Sequence, residues 1–201
     1  MRLVLRRSLS LLVLACAAWP LNALAAAHVR NGLCLGVGFG LESVAWTDQD
    51  GNRHPAEGSG TWNARAGYAL KPDLVLGVEY WGWAKSYELS TPTLPVPVEV
   101  KLSAATACAT FFPGAAGFFV RAGAGLAYGS VSQEPPPSVT DVPAIKKTRT
   151  GIAVNFAPGY EWRVARRFAL GFQGDVVYLG LDGELSNVFG YGLNAQFNWY
   201  W

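Results

Sequence analysis

The last thirteen residues of the chain, 189–201, constrain its fold more than any other segment. Apolar residues, most of them aromatic, stand at every second position from Phe189 to Trp201, with small or polar residues such as Gly190 and Asn194 between them. A period of two is typical of a β-strand, because successive side chains of a strand point to opposite faces. In a soluble protein a terminal strand this apolar would be an edge prone to aggregation. The pattern therefore predicts a strand that closes a barrel whose outside meets lipid.

The same alternation recurs along the chain and predicts eight strands. They span residues 32–46, 61–70, 74–84, 96–112, 118–130, 150–164, 168–179 and 189–201. Apolar residues make up 51% of the chain and charged residues only 15%, yet no apolar run reaches the ~20 residues of a spanning helix. We predict an all-β fold, an eight-stranded antiparallel up-and-down transmembrane β-barrel closed between its first and last strands. Long and short connections alternate, so the long ones are expected outside and both termini in the periplasm.

The N-terminus has the features of a secretory signal peptide. Three arginines, Arg2, Arg6 and Arg7, precede an apolar run that ends before Pro20. Small residues then predict cleavage after Ala25, with Ala27 as the second choice. We therefore divide the chain into a signal peptide, residues 1–25, and a barrel domain, residues 26–201. A lipoprotein cleavage site at Cys16 is the alternative. Removing three arginines and no acid changes the formal charge from +2 to −1, which argues against a nucleic-acid partner.

The non-apolar faces of the strands are rich in glycine and carry few charges, which favours placing them in a narrow lumen. On this assignment the apolar residues of the fourth strand, Val98 to Ala104 at every second position, face outwards. Eight charged residues face the lumen and balance as four cations and four anions: Arg65, Glu79, Glu99, Lys101, Arg121, Glu161, Arg163 and Asp175. Arg65 and Glu79 are equidistant from a turn at Pro72 and should lie opposite each other. Arg121 and Glu161 are expected at similar depth. The network either closes the lumen or lines a conduit, and a barrel of eight strands favours closure.

A soluble lipocalin-type barrel would show the same alternation with its large apolar residues inside. Aromatic residues at the strand ends favour the membrane alternative, because membrane barrels carry an aromatic girdle at each interface. The outer girdle is predicted to contain Trp46, Trp62, Tyr80, Tyr128, Tyr178 and Tyr191. The inner girdle is predicted to contain Tyr68, Phe112, Phe118, Tyr160, Trp162, Phe168, Trp199 and Trp201.

Enzymatic and cofactor chemistry find little support in the sequence. The two histidines, His28 and His54, lie outside the predicted strands and beside no patterned serine. The glycine-rich segments are strand interiors with no helix after them, so they do not indicate a nucleotide site. We expect no catalytic, cofactor or metal site. Cys34 is predicted to face inwards and Cys108 outwards, on strands that are not neighbours, which favours two buried thiols over a disulfide.

Residues 189–201 resemble the C-terminal signature strand of bacterial outer-membrane β-barrels, and the chain as a whole is similar to small barrels related to the OmpA transmembrane domain, OmpX and OmpW. The resemblance implies recognition by the barrel-assembly machinery and periplasmic chaperones. It also implies a place among outer-membrane lipid and lipopolysaccharide. The residues implied as the assembly signal are Phe189, Tyr191, Phe197, Trp199 and Trp201.

For function, the sequence predicts a structural or surface-interaction protein that displays four extracellular loops and names no extracellular partner. An OmpW-like passage for small hydrophobic compounds is the alternative. A lipid A-modifying enzyme is a third hypothesis.

Overall fold

A computed structural model describes residues 30–47, 53–90, 95–115, 117–133, 145–182 and 186–201. The predicted signal peptide and both cleavage sites lie outside these residues, as do the tips of the four longer connections. The strands are β1 Gly32–Thr47, β2 Arg53–Lys71, β3 Leu74–Ser90, β4 Pro95–Phe111, β5 Phe118–Gln133, β6 Ile145–Ala165, β7 Phe168–Leu181 and β8 Ser186–Tyr200. In the described part of the chain, no helix is long and apolar enough to cross a membrane.

The eight strands pair antiparallel in chain order and form a closed ring. The ring is completed where β1 meets β8, with Leu35 opposite Trp199 and Leu41 opposite Leu193. The predicted closed eight-stranded barrel is therefore confirmed. Following register partners once around the ring leads from Cys34 to Val44 on the same strand, a displacement of ten residues. A displacement of this kind requires strands that are tilted relative to the barrel axis.

Several strands extend further at the end of the long connections than the alternation predicts. β2 begins at Arg53 rather than at residue 61, β3 continues to Ser90 rather than 84, and β6 begins at Ile145 rather than 150. A membrane needs only about 9–11 residues per strand, whereas β6 has 21. The barrel therefore continues well beyond the thickness of a bilayer at this end, which we call the loop end. The opposite end, with the short connections, is the turn end.

The outer surface is apolar across the middle of every strand. Large side chains such as Phe39, Leu41, Leu126, Ile152 and Leu193 lie exposed there. In water such a surface would be a strong aggregation hazard, whereas in hydrocarbon it is the favoured one.

Most of the predicted girdle residues lie on this outer face, but two do not. Trp46 and Phe112 are buried in the lumen. Trp46 shares the lumen-facing parity of Val44 on β1, and Phe112, which directly follows β4, continues that of Thr110. For these two residues the alternation along the strand predicts the direction of the side chain correctly, whereas their position near a strand end does not.

Candidate functional site: the barrel lumen

Buried apolar side chains line the loop-end half of the lumen. Its members are Val44, Trp46, Trp81, Trp83, Val100, Leu102, Ala104, Ala127, Ala153, Val177, Leu179, Leu181 and Val188. Tyr87 and Val131 pack against them. Trp81 and Trp83 are both almost fully buried, and they contribute the largest volume. We call this set the apolar plug. It is organised like the core of a soluble domain.

The apolar plug corrects the orientation predicted for β4. Leu102 is register partner to Trp83 and Ala104 to Trp81, so the apolar residues of β4 face the lumen. Glu99 and Lys101 consequently face outwards, where they form an ion pair of 2.7 Å with exposed side chains. Their predicted place in the lumen is wrong.

Glu99 and Lys101 face outwards because the outer face of the barrel becomes polar at their level. Rows of register partners across β4, β5 and β6 show the change. Moving towards the loop end, an apolar row (Ala105, Leu126, Ile152) is followed by an interfacial row (Ser103, Tyr128, Thr150) and then by a polar row (Lys101, Ser130, Thr148). Beyond the interfacial row the wall faces water, so the barrel has the polarity of a soluble protein, with apolar residues inside. The alternation alone shows that the two faces differ, and it does not show where a strand leaves the lipid.

The turn-end half of the lumen is polar, and two arginines organise it. Arg65 donates hydrogen bonds to Gln173 (3.0 Å), Gln196 and Asn198 (2.7 Å). Arg121 donates to Thr110 (3.0 Å) and to the same Oε1 of Gln173 (2.8 Å). One amide oxygen thus joins two guanidinium groups, and these bonds tie β2, β4, β5, β7 and β8 together across the lumen.

Two carboxylates lie beside this pair of arginines. Glu79 is 3.7 Å from Arg121 and accepts a hydrogen bond from Asn155 (3.2 Å). Asp175 accepts from Gln173 and from Asn194, both at 2.6 Å. Both carboxylates are buried, where an unpaired charge would be costly. Gln173 accepts hydrogen bonds from both arginines and donates one to Asp175. Neutral amide groups thus connect charged residues that do not contact each other.

A third group of side chains lies at the turn end. Arg30, which precedes β1, is almost fully buried and donates two hydrogen bonds to Oε1 of Glu161, at 2.8 and 3.0 Å. Its guanidinium lies 3.4 Å from the centre of the Phe112 ring. The other oxygen of Glu161 accepts from Tyr200 (2.7 Å) and Asn198 (2.9 Å). We call Arg30, Phe112, Glu161 and Tyr200 the turn-end cap.

The structure therefore brings together five of the eight predicted lumen residues: Arg65, Glu79, Arg121, Glu161 and Asp175. Arg163 is half-buried near the turn end, 5.0 Å from the Tyr200 ring. Arg65 and Glu79 are register partners, as the symmetry of the hairpin predicts. Their charged groups nevertheless contact other residues. Glu161 pairs with Arg30 rather than lying against Arg121.

Sequence reasoning missed two charged residues of the lumen, Arg30 and Glu42, and its polar uncharged residues. Gln173, Gln196 and Asn198 stand on the small, polar parity of their strands, so the alternation indicated their direction. Nothing in the pattern indicated that they would carry the contacts of Arg65 and Arg121. Arg30 lies before the first alternating residue, and only the fold places it beneath Glu161.

A small cavity of about 40 Å³ lies between the turn-end cap and the arginine pair. Both thiols line it, so Cys108 faces inwards and not outwards as predicted. The reversed orientation of β4 accounts for this error too. Both cysteines are free. The row from Cys34 to Cys108 passes through Gly67 and Gly77, which places the thiols three strands apart.

Groups that could support chemistry are few. The ring of His54 stacks on Trp46 at 5.0 Å, with 14° between the planes. Among the residues that the structure describes, no three His, Cys, Asp or Glu side chains are grouped so that they could hold a metal ion. His28 lies outside those residues.

Four residues of the predicted assembly signal lie on the outer face of β8, and the fifth, Trp201, follows the last residue of that strand. Phe189, Tyr191 and Trp201 are exposed, and Phe197 and Trp199 are half-buried among their neighbours. Recognition by the assembly machinery stays a prediction.

No family model matches the chain, and no curated protein does. Solved structures match it. Ail, the attachment invasion locus protein of Yersinia pestis, in complex with the heparin analogue sucrose octasulfate, has a TM-score of 0.61 at 14% identity, over 84% of this chain and 99% of Ail. Neisserial surface protein A has a TM-score of 0.53 at 17% identity, over 83% of this chain and 97% of its own. The outer membrane protein OprG from Pseudomonas aeruginosa has a TM-score of 0.51 at 10% identity, over 87% and 99%. The chain thus has the fold of small eight-stranded outer-membrane β-barrels, which confirms the predicted resemblance.

Proposed function

We propose that the chain is an integral protein of the bacterial outer membrane, with a closed lumen, that acts through contacts made by its loop end. The turn end and both termini lie in the periplasm. The exposed apolar belt and the fold shared with Ail, surface protein A and OprG support the location.

The observation that supports the proposal is that buried side chains of two different kinds succeed each other along the lumen. The apolar plug occupies the loop-end half, and the arginine network with the turn-end cap occupies the other half. A conduit for polar solutes would need both layers to open. Eight strands leave an interior that side chains can fill, so closure is also the expected result of the strand number.

Planar-bilayer recording tests closure. The wild-type barrel is expected to insert without producing conductance steps. A variant that removes large side chains from both layers and from the turn-end cap (Trp81→Ala, Trp83→Ala, Arg65→Ala, Arg30→Ala and Phe112→Ala) is expected to conduct, which shows that the assay detects an open lumen. Reproducible conductance of the wild-type protein would overturn the closed lumen.

We further propose that the contacts involve a polyanionic partner, and the basic end of β6 supports this. Lys146, Lys147 and Arg149 stand within four residues of one another, and all three are exposed. They lie beyond the interfacial row, where the barrel faces water. Clustered cations attract sulfated or phosphorylated chains without reading their sequence. The similar barrel Ail was solved with a sulfated sugar bound.

Retention on immobilised heparin in 0.15 M salt tests the partner class. The wild-type barrel should bind, and a variant with Lys146→Gln, Lys147→Gln and Arg149→Gln should elute at lower salt. Lys71→Gln, which neutralises an exposed cation offset by Asp73 at the opposite end, is the control and should elute like wild type. Equal elution of the β6 variant and the wild type would contradict a polyanionic partner.

A passage for small hydrophobic compounds is the second candidate, and one feature favours it. An open groove of about 770 Å³ lies against β1, β2 and β8, lined by Phe39, Leu41, Tyr191 and Leu193 beside several glycines. An apolar compound could leave the barrel along such a wall. Uptake of a hydrophobic dye by cells that produce the barrel tests it. Uptake that falls when the groove is filled by Gly60→Leu would favour this function over the first. We do not propose an enzyme.

A further inference from the structure

The turn between β6 and β7 concentrates positive charge at the turn end. Arg166 and Arg167 are consecutive and both exposed. The β2–β3 turn carries Lys71 and Asp73, which offset each other, and residues 113–117 between β4 and β5 carry no charge. Within the residues that the structure describes, neither arginine takes part in an ion pair. The exposed positive charge of the turn end is therefore concentrated at the β6–β7 turn.

The turn is tied to the barrel by its backbone. The backbone N–H of Tyr200 donates to the carbonyl oxygen of Arg167 at 2.9 Å. The guanidinium of Arg163 donates to the carbonyl oxygen of Arg166. Because both carbonyl groups are held, the two arginine side chains project from a defined place at the ends of β6 and β8. Two arginines on a long loop would have no such fixed backbone position.

A dense aromatic patch adjoins the turn on the outer face. Trp199 packs on Phe168 with ring centres 5.1 Å apart, and Trp162 packs on Tyr160 (4.8 Å) and Phe172 (4.9 Å). Phe168 and Trp199 belong to the row formed with Ala165, the last residue of β6. Tryptophan and tyrosine rings favour the headgroup level of a bilayer. Arg166 and Arg167 follow this row directly, so they lie at the level of the phosphates.

We propose that Arg166 and Arg167 bind the phosphate of an anionic phospholipid in the periplasmic leaflet, while its acyl chains lie along the aromatic patch of Trp162, Phe168, Phe172 and Trp199. A guanidinium can donate two parallel hydrogen bonds to a phosphate, and a second cation beside it favours a lipid with net negative charge. The inference rests on the proposed function, because it requires the turn end to face the periplasm.

Native mass spectrometry of barrels released from nanodiscs tests the lipid site. The nanodiscs contain equal amounts of phosphatidylglycerol and phosphatidylcholine with matched acyl chains. The wild-type barrel should retain phosphatidylglycerol preferentially, and Arg166→Gln with Arg167→Gln should lower that preference roughly tenfold. Lys85→Gln with Lys101→Gln removes the same charge at the loop end, away from the aromatic patch, and should leave the preference unchanged. Glycerol 1-phosphate added in excess should not displace the lipid, since a free headgroup lacks acyl chains.

Two results would overturn the inference: equal preference in the Arg166/Arg167 variant and the wild type, or equal loss in both variants. A separate measurement keeps the orientation distinct. A cysteine introduced by Arg167→Cys should resist a membrane-impermeant maleimide in intact cells and react after lysis. Labelling in intact cells would overturn the proposed orientation, whereas protection together with unchanged lipid preference would overturn the lipid site alone.

Discussion

Asn155 and Gly123 are register partners across β6 and β5, and the side-chain oxygen of Asn155 occupies the space that a Cβ at position 123 would need. Asn63 stands over Gly38 in the same way, and Asn194 over Gly40. A polar lumen side chain thus lies against a glycine of the adjacent strand. The glycines give the lumen room for its amide groups, which explains why they recur on the inward parity.

Replacing Gly123 by alanine should therefore destabilise the barrel. Besides the Asn155 amide, the new Cβ would meet the carbonyl oxygen of Ala107 at 2.9 Å, and that backbone cannot easily move. Overpacking of this kind costs about 1–3 kcal/mol. Gly174→Ala is the matched control, because a Cβ there meets nothing closer than 3.9 Å. The free energies of unfolding in urea, measured by tryptophan fluorescence in micelles, should separate the two variants. Equal stability would show that the lumen has spare room.

Replacing Arg30 by glutamine should cost more than the loss of a surface ion pair. Glu161 would remain buried with only neutral donors, and breaking a buried pair typically costs about 3–5 kcal/mol. Lys85→Gln, which removes a partly exposed pair with Glu57 (2.8 Å), should cost about 1 kcal/mol or less. Adding Glu161→Gln to Arg30→Gln should recover part of the loss in a double-mutant cycle. Additive losses would indicate that the two residues act independently.

The two lumen tryptophans should differ when each is replaced by phenylalanine. The indole N–H of Trp81 donates to the buried carboxylate of Glu42 at 2.8 Å, whereas that of Trp83 donates to the Glu42 backbone carbonyl at 3.3 Å. Trp81→Phe removes a short bond to a buried carboxyl group, and leaving a buried acceptor unsatisfied costs about 1–3 kcal/mol, whereas Trp83→Phe removes a longer bond. Unfolding midpoints should therefore fall further for Trp81→Phe. The reverse order would mean that volume, and not the carboxylate contact, decides stability in the apolar plug.

The thiols of Cys34 and Cys108 should stay reduced and unreactive in the folded barrel. They lie three strands apart, roughly 14 Å along the wall at the usual strand spacing, too far for a disulfide. The cavity that they line is small, and Phe112, Glu161 and Tyr200 of the turn-end cap line it too. A bulky maleimide should modify neither thiol in the folded protein and both after boiling in detergent, as counted by the shift on a denaturing gel. A cross-linked form under non-reducing conditions would contradict the register described here.

The strand number, the closure between β1 and β8 and most of the outer surface could be predicted from the sequence. Period two identifies strands, and an apolar face such as that of β8 can be satisfied only by lipid or by a core. For the same reason, charged residues were predictable as inward-facing wherever lipid surrounds the strand. These residues are Arg65, Glu79, Arg121, Glu161 and Asp175. Where the strand passed beyond the lipid, as at Glu99 and Lys101, the same reasoning failed.

By itself, the sequence determined the two unlike faces of each strand and hence a membrane barrel, because alternation is a local property of neighbouring residues. Only the tertiary structure decided which buried charges meet. Ring closure with a displacement of ten residues sets the relative heights of the strands, and that displacement is a property of all eight strands together. It brings Arg30 to Glu161 and joins Arg65 and Arg121 through Gln173. It also decided where the wall leaves the bilayer, and there the polarity of β4 reverses because water replaces lipid as its solvent.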